Sequence, residues 1–393
     1  MNIGVLKERK PDENRVALRP IQAGILKESG HRILVESGAG DRAGFPDEEY
    51  RADGATISTK NTILDECSLI LKVKTPLKEE YEDYRERHIL TAFLHLDENI
   101  PAEDIKRLIR SGFMGIAWEW IEKDNAYPIL QVMSKLTGYL FAQRATELCT
   151  IHAGQLCGGY EDFAPGINIM IIGLGTIGMS ALKYAVDNHY HVYLVEKHPE
   201  SINERLNARF KTALDYISRY GIEVVIFDND NPGRTKAEIG DLLPRMDIVL
   251  NGAVRRDDLP RHRMRYMIDE AMVRTMKKGS VICDATACDR EFIETCVSSE
   301  SLDHYDVIHG VIHYNCDHIP AGIGRMATEL LTRETFPYII EIANKGIWRA
   351  ISENESLRRA ICCYRARITN KHVSGRKGMA FTDLMELIGS HVS

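Results

Sequence analysis

Residues 167–178 read Ile167-Asn-Ile-Met-Ile-Ile-Gly-Leu-Gly-Thr-Ile-Gly178, and this stretch decides the fold. Its apolar run up to Ile172 has no polar alternation, the pattern of a strand buried on both faces of a parallel sheet. Gly173, Gly175 and Gly178 follow at GxGxxG spacing, then a helical pattern to about Asn188 and a second apolar run, His191-Val-Tyr-Leu-Val195. A glycine triplet alone is a weak signal. Strand before, helix after and an acid at the end of the next strand make it a dinucleotide-binding fingerprint. Gly173 allows the tight turn, Gly175 lets backbone approach a pyrophosphate, and Gly178 lets helix and strand pack closely. The helix N-terminus then offers unpaired N–H groups to phosphate. Glu196, 18 residues after Gly178, stands where a carboxylate accepts hydrogen bonds from ribose hydroxyls. A carboxylate repels a 2′-phosphate, so NAD is the expected cofactor, although Lys197 and His198 directly after it leave NADP open.

Outward from this core the chain reads as three blocks. Up to about residue 130, strand-like runs (Asn2 to Leu6, His31 to Val35, Leu69 to Val73, Ile89 to Leu94, Gly115 to Trp118) alternate with helical stretches such as Ile21 to Ser29 and Ile105 to Ser111. That alternation predicts βα units and a mainly parallel sheet, an α/β class. A helix is expected from Ser134, as N-cap, to about Cys149. In the middle block, Val224 to Phe227, Met246 to Leu250, Ser280 to Cys283 and Tyr305 to His309 read as strands, and Asp228 to Lys236 as an exposed loop. From about Ala321 the chain reads as mostly helical with a polar end.

Length and composition bound the rest. At ~150 residues per domain, 393 residues suggest two or three domains. With 44% hydrophobic and 27% charged residues, Gly 29 and Pro 13, the composition is that of an ordinary globular chain. The net charge of −7 removes a global electrostatic case for nucleic acid. The N-terminal apolar run precedes Lys7 to Lys10, the wrong order for a signal peptide, and no run approaches the ~20 residues of a membrane helix. The nine cysteines make no CxxC pair, and Cys283, Cys288 and Cys296 fit no zinc spacing. Reduced thiols, a cytoplasmic location and no metal are the expectations.

An ordered set of motifs carries a family resemblance. Gly4-Val-Leu-Lys-Glu-Arg-Lys-Pro-Asp-Glu-Asn-Arg-Val-Ala-Leu-Arg-Pro20 resembles the opening of the alanine dehydrogenase family, which also holds nicotinamide nucleotide transhydrogenase subunits. Lysine-ketoglutarate reductases (saccharopine dehydrogenases) and N5-(carboxyethyl)ornithine synthases are more distant members. Lys72-Val-Lys-Thr-Pro76, Phe93-Leu-His-Leu96, Met133-Ser-Lys135, the glycine motif, Lys277-Lys-Gly-Ser280 and Phe336-Pro-Tyr338 continue the resemblance across nearly the whole chain.

The resemblance implies two Rossmann-like doubly wound domains with an active-site cleft between them. The substrate domain would comprise 1–129 with 325–393, and the NAD-binding domain 130–324. Arg15 would bind the substrate carboxylate with its bidentate guanidinium, and Lys74 would hydrogen-bond carboxylate or carbonyl oxygen. His95 would be the acid/base at that oxygen, a task suited to a group titrating near neutrality. Asp289 would orient water or amine beside the nicotinamide, and the Ser134 hydroxyl would touch the cofactor. Singly, each has a plainer reading. Arg15 with Glu13 reads as a surface ion pair, Lys74 as an edge-strand residue and His95 as a hydrogen-bonded core histidine. Asp289 and Asp284 read as strand ends and Ser134 as a cap. Their order around one dinucleotide motif favours the functional reading.

Four stretches depart from alanine dehydrogenases: Ala117-Trp-Glu119, the basic run Arg255 to Arg265, Ala287-Cys-Asp-Arg290, and Gly310-Val-Ile-His-Tyr-Asn-Cys-Asp-His-Ile-Pro320. The first and last resemble the carboxyethylornithine synthases, and Cys288-Asp289 resembles both distant groups. Asp317, His318 and Arg290 could therefore contact an amino acid acting as the amine, and the basic run a second carboxylate. The leading expectation is an NAD-dependent oxidoreductase joining a small 2-oxo acid and an amine through an imine, or running in reverse. Its partners are small molecules, with no nucleic acid and no membrane. An opine-type synthase, a non-catalytic NAD sensor and a soluble transhydrogenase subunit are the alternatives. The resemblance also implies a homo-oligomer.

Overall fold

Short aliphatic runs, each followed by a helix, pair in parallel as the alternation predicts. The computed structural model describes residues 1–154, 156–158, 166–254, 259–286 and 288–389. The chain divides into two compact units, Met1–Met133 with Pro320–Ser393, and Ser134–Ile319. In the first unit, β1 (Asn2–Val5), β2 (Arg32–Glu36), β3 (Thr56–Ser58), β4 (Leu69–Lys74), β5 (Ile89–Phe93) and β6 (Met114–Ala117) lie in the order β6-β5-β4-β1-β2-β3. All five pairings are parallel. Thus β4 has a neighbour on each side, and Lys74 ends an interior strand rather than lying on an edge. Its register partner is Phe93, reached after a shift in the β4–β5 pairing between Leu71 and Lys74.

The second unit is built around the strand that opened the sequence reading. Its strands are β7 (Asn168–Ile172), β8 (His191–Glu196), β9 (Glu223–Ile226), β10 (Ile248–Asn251), β11 (Val281–Asp284), β12 (Asp306–Ile308) and β13 (Val311–Tyr314). They lie in the order β12-β13-β11-β10-β7-β8-β9. The chain winds outward from β7 one way and then returns to wind the other, which puts a topological switch between β7 and β10. Alternate residues of β7 feed different cores. Ile169 and Ile171 pack with Leu182 and Ala185, while Met170 and Ile172 pack with Val249 and Ile282. Burial on both faces is why the run carries no polar alternation.

Two expectations are corrected, and two others are met with strands beside them that the sequence reading did not name. The helix expected from Ser134 spans Pro128–Ala153. Pro128 begins it, since a missing N–H costs nothing in a first turn, and the Gln131 N–H already bonds the Tyr127 carbonyl. Ser134 is therefore inside the helix and caps nothing. Asp228 to Lys236 is only partly loop, because Asn231 caps a helix over Pro232–Leu242. The expected strand at 305–309 is the short β12, and a two-residue turn at His309 and Gly310, both left-handed, folds β13 back against it. The last block is mostly helical, as expected, but it also carries two short strands. After helices Gly324–Lys345, Ile347–Glu353 and Glu355–Arg359 come β14 (Ile361–Tyr364) and β15 (Arg367–Ile368). β14 joins the first sheet antiparallel to β6. Its turn, Arg365-Ala366, is left-handed at both residues without glycine or asparagine, so the usual hairpin signal is missing. Among the described residues no helix is long and apolar enough to cross a membrane.

Candidate functional site

In the second unit the glycine motif leaves open space at its middle residue. Gly173 has φ +83°, and a Cβ on Gly178 would lie 1.9 Å from the Gly173 carbonyl oxygen. A Cβ on Gly175 would meet nothing within 4 Å, so the space over it is open. Gly175 is also the N-cap of the helix Thr176–Asp187 and gives it no side-chain cap, which leaves first-turn N–H groups for an anion. A cavity of about 320 Å³ opens here, lined by Gly173, Gly175, Glu196, Lys197, His198 and Arg205, with apolar wall from Phe227 and Phe292. Glu196 is buried. Its Oε2 accepts from the Leu174 N–H at 2.8 Å, and its Oε1 accepts from the N–H groups of Lys197 at 2.9 Å and His198 at 3.1 Å. Arg205, absent from the sequence reading, lies 3.4 Å from Oε1. A carboxylate oxygen has two acceptor positions, so Oε2 can accept from a further donor. Helix N-terminus, open glycine, braced carboxylate and apolar wall together suit a dinucleotide.

Asp284 and Asn251 are register partners at the ends of β11 and β10. The buried Asp284 accepts at Oδ1 from Asn251 Nδ2 at 3.0 Å and from Thr286 N and Oγ1 at 3.1 and 2.7 Å. Burial pushes its carboxyl up to about 6 despite these donors. Asp289, the acid that the sequence singled out, is exposed and accepts instead from Ser298 N and Oγ at 2.8 and 2.7 Å. The perturbed acid at this strand end is Asp284.

The expected second-substrate contacts are placed differently from one another. The His318 side chain is 0% exposed, with Nδ1 at 2.6 Å from Asp317 Oδ1 and 3.7 Å from Cys316 Sγ. Burial works against its charge, but Asp317 and Cys316 outweigh that and raise it to about 9. The His318 side chain is thus buried against its neighbour Asp317 rather than presented to solvent. Asp317 remains partly exposed. Of the basic run, residues 255–258 lie outside the described residues. Arg261 pairs with Glu291 at 3.0 Å, Arg263 donates to the Asp230 carbonyl at 3.1 Å, and Arg265 lies over the Tyr266 ring.

In the first unit the structure brings Lys74 and His95 to adjacent strand ends. The Thr75 hydroxyl donates to the carbonyls of Phe93 and Leu94 at 3.0 and 2.5 Å, tying the end of β4 to the segment before His95. Two buried carboxylates take the backbone N–H groups that the strands leave over. Glu8 Oε1 accepts from Val73 at 2.6 Å and from Lys74 at 3.4 Å, and Glu119 accepts from Leu94 at 3.2 Å and from His95 at 2.7 Å. Burial raises both above the usual carboxylate range. The charge on Glu8 is balanced by Lys72, itself fully buried at 3.1 Å from Glu80. His95 has φ +42°, its ring stacks on Phe93 at 5.6 Å, and its Nδ1 lies 2.9 Å from Glu98 Oε1. Burial and Lys74 oppose its charged form, but Glu98 and Glu119 prevail, and the ring sits above its ordinary value.

Arg15 is buried, so it is no surface ion pair. Its Nε and Nη2 hold Glu13 at 2.7 and 2.5 Å, and Nη1 faces the Met133 sulfur at 3.3 Å. Sequence reasoning gave no functional role to Glu8, Glu98, Glu119, Arg205 or the Asp284 carboxyl. The only signal for Glu119 was its place after Ala117-Trp, and for Glu98 its spacing of three from His95. Among the described residues no group of three or more His, Cys, Asp or Glu is arranged to hold a metal.

Comparison with known proteins fits these features. Residues 4–137 match the alanine dehydrogenase/PNT N-terminal domain, and residues 140–371 match the alanine dehydrogenase/PNT C-terminal domain. The alanine dehydrogenase of Bacillus subtilis (strain 168) is 32% identical over 386 residues, covering 97% of this chain and 96% of that protein. The alanine dehydrogenase of Methanococcus maripaludis is 31% identical over 390 residues, covering 97% and 98%. Among solved structures, an L-alanine dehydrogenase superposes with a TM-score of 0.79 at 28% identity, over 96% of this chain and 99% of that one. A transhydrogenase from Sinorhizobium meliloti shares the fold, with a TM-score of 0.71 at 20% identity over 94% and 99%.

Proposed function

The chain belongs to the alanine dehydrogenase/PNT family, and on that premise we propose that it is an NAD-dependent oxidoreductase acting on a C–N bond. It interconverts a small 2-oxo acid of the pyruvate class plus an amine with an amino acid, through an imine. The observation that carries this reading is the paired placement of Lys74 and His95, held by Thr75, Glu8 and Glu119. A cation and a titrating ring on adjacent strand ends fit an oxo-acid oxygen and the proton that it must gain.

In the reductive direction Arg15 and Lys74 hold the oxo acid by its oxygens. Amine adds to the carbonyl carbon, His95 gives its proton to the carbinolamine oxygen, and the C–O bond breaks to release water and leave the imine. The nicotinamide, when bound, supplies the hydride that reduces this carbon. Gly173, Gly175 and the helix N-terminus would receive its pyrophosphate, and Glu196 a ribose hydroxyl. NAD is preferred because the Glu196 carboxylate repels a 2′-phosphate. Holding the partners together makes the condensation effectively unimolecular. The withdrawal of His318 into contact with Asp317 and Cys316 favours ammonia over an amino acid as the amine.

The test is steady-state NADH oxidation with pyruvate and ammonium, run beside lysine, ornithine and alanine as amines, with product masses. Turnover with ammonium and the mass of alanine is expected. Product mass equal to pyruvate and an amino acid joined would move the reading to an opine-type synthase. No turnover with any 2-oxo acid and amine would overturn it.

A further inference from the structure

The segment after β5 holds its histidine with more groups than an isolated acid/base needs. His95 sits in the left-handed region, uncommon for a residue with a side chain, and its N–H is fixed by Glu119 at 2.7 Å. The ring direction is then set from two sides, by stacking on Phe93 and by Glu98 Oε1 at 2.9 Å from Nδ1. Glu98 is itself anchored. Its N–H bonds the His95 carbonyl at 3.1 Å, and its own carbonyl takes Lys377 Nζ. Asp97 beside it lies 3.4 Å from His372, whose ring rests 5.1 Å from Trp120. Lys377 and His372 belong to the helix Lys371–Lys377, so the far end of the chain clamps the turn that carries Glu98.

We propose that Glu98 is the positioning residue for His95. Its carboxylate takes the Nδ1–H, fixes the ring plane and leaves Nε2 as the nitrogen that trades a proton with substrate. This deepens the reading of His95 as the acid/base and rests on it. A histidine oriented through one nitrogen by a carboxylate works through the other, because the hydrogen bond settles the tautomer. The charged groups facing the ring are Glu98, Glu119 and Lys74, and those around Glu98 are Asp97, His372 and Lys377. Without the Glu98 charge, burial and Lys74 oppose the imidazolium with only Glu119 against them, so the ring loses its proton at lower pH. That weakens it as the acid of the reductive direction and makes it an available base at lower pH in the oxidative one.

The test is a titration of the 13C-labelled His95 ring in the full-length protein, assigned by His95→Gln, for wild type, Glu98→Gln and Glu98→Asp. It is read beside pH–rate profiles in both directions. Glu98→Gln is expected to lower the ring's midpoint and move the reductive limb the same way. Reductive kcat at pH 7 should fall roughly tenfold, part of the ~10²–10⁴ that general acid–base catalysis contributes, with the KM for the oxo acid little changed. Glu98→Asp, which keeps the charge, should move the midpoint less, and Glu98→Ala, which also removes the charge, carries the test if Glu98→Gln does not fold. An unmoved midpoint overturns the proposal. If the midpoint moves but wild type turns over no oxo acid and amine, Glu98 still positions His95 while the proposed reaction fails.

Discussion

Glu119 receives the backbone N–H of His95 at 2.7 Å and that of Leu94 at 3.2 Å, so one buried carboxylate fixes the segment that carries the ring. Glutamine in its place keeps the shape but turns an amide N–H toward one of these donors. Glu119→Gln is expected to cost about 1–3 kcal/mol, the usual penalty of a buried donor left unmet. NADH affinity should be unchanged and kcat/KM for the oxo acid lower, as read by urea unfolding, nucleotide titration and steady-state kinetics.

The glycine motif separates folding from binding. A Cβ at Gly178 would collide with the Gly173 carbonyl, whereas at Gly175 it meets nothing. Gly175→Ala is therefore expected to melt like wild type yet bind NADH at least tenfold more weakly, since its methyl occupies the pyrophosphate's approach. Gly178→Ala should lose both stability and binding. Calorimetry with thermal melts decides, and equal NADH affinity for Gly175→Ala and wild type would place the nucleotide elsewhere.

The fork of Arg15 is already on Glu13, so the proposed contact with the oxo acid would be a second task for the same guanidinium. Arg15→Ala strands a buried carboxylate, and a loss of about 3–5 kcal/mol is expected. Arg15→Met with Glu13→Leu removes both charges and should recover most of that stability without recovering the KM for the oxo acid. Recovery of KM as well would mean that Arg15 never touches substrate.

His318 makes stability depend on pH. Its folded value, about 9, lies above the ordinary 6.5. Its contribution is therefore complete below pH 6.5 and disappears as pH rises through 9, at most about 3 kcal/mol at ~1.4 kcal/mol per unit. The gap in unfolding free energy between wild type and His318→Asn should be widest near pH 6 and close by about pH 10. A gap independent of pH would mean that His318 is buried neutral.

Much of this molecule is legible in its residues, for reasons that particular elements make plain. β7 is readable because burial on both faces demands an unbroken apolar run, and Gly173 and Gly178 after it stand where a side chain would clash, whereas Gly175 faces open space. The hairpin of β14 and β15 is not readable, since Arg365 and Ala366 take left-handed conformations by tertiary constraint rather than preference. Ser134 misled because a good cap residue has no duty when Pro128 has already begun the helix. At the site, Lys74 and His95 could be picked out by motif, and the structure sets them side by side. Glu8 and Glu119 could not, because their task is to receive backbone N–H groups from strands distant in sequence. Asp289 drew notice by its position in a motif, yet Asp284, five residues earlier, is the acid that burial perturbs.

The most direct test follows the hydride itself. Purified protein is given NADH deuterated at the transferable C4 position with pyruvate and ammonium, and the amino acid formed is examined by mass spectrometry and proton NMR. Alanine one mass unit heavier, with the label at C2, is expected. Unlabelled alanine, label at another carbon or no amino acid at all would contradict reduction of an imine carbon by this protein.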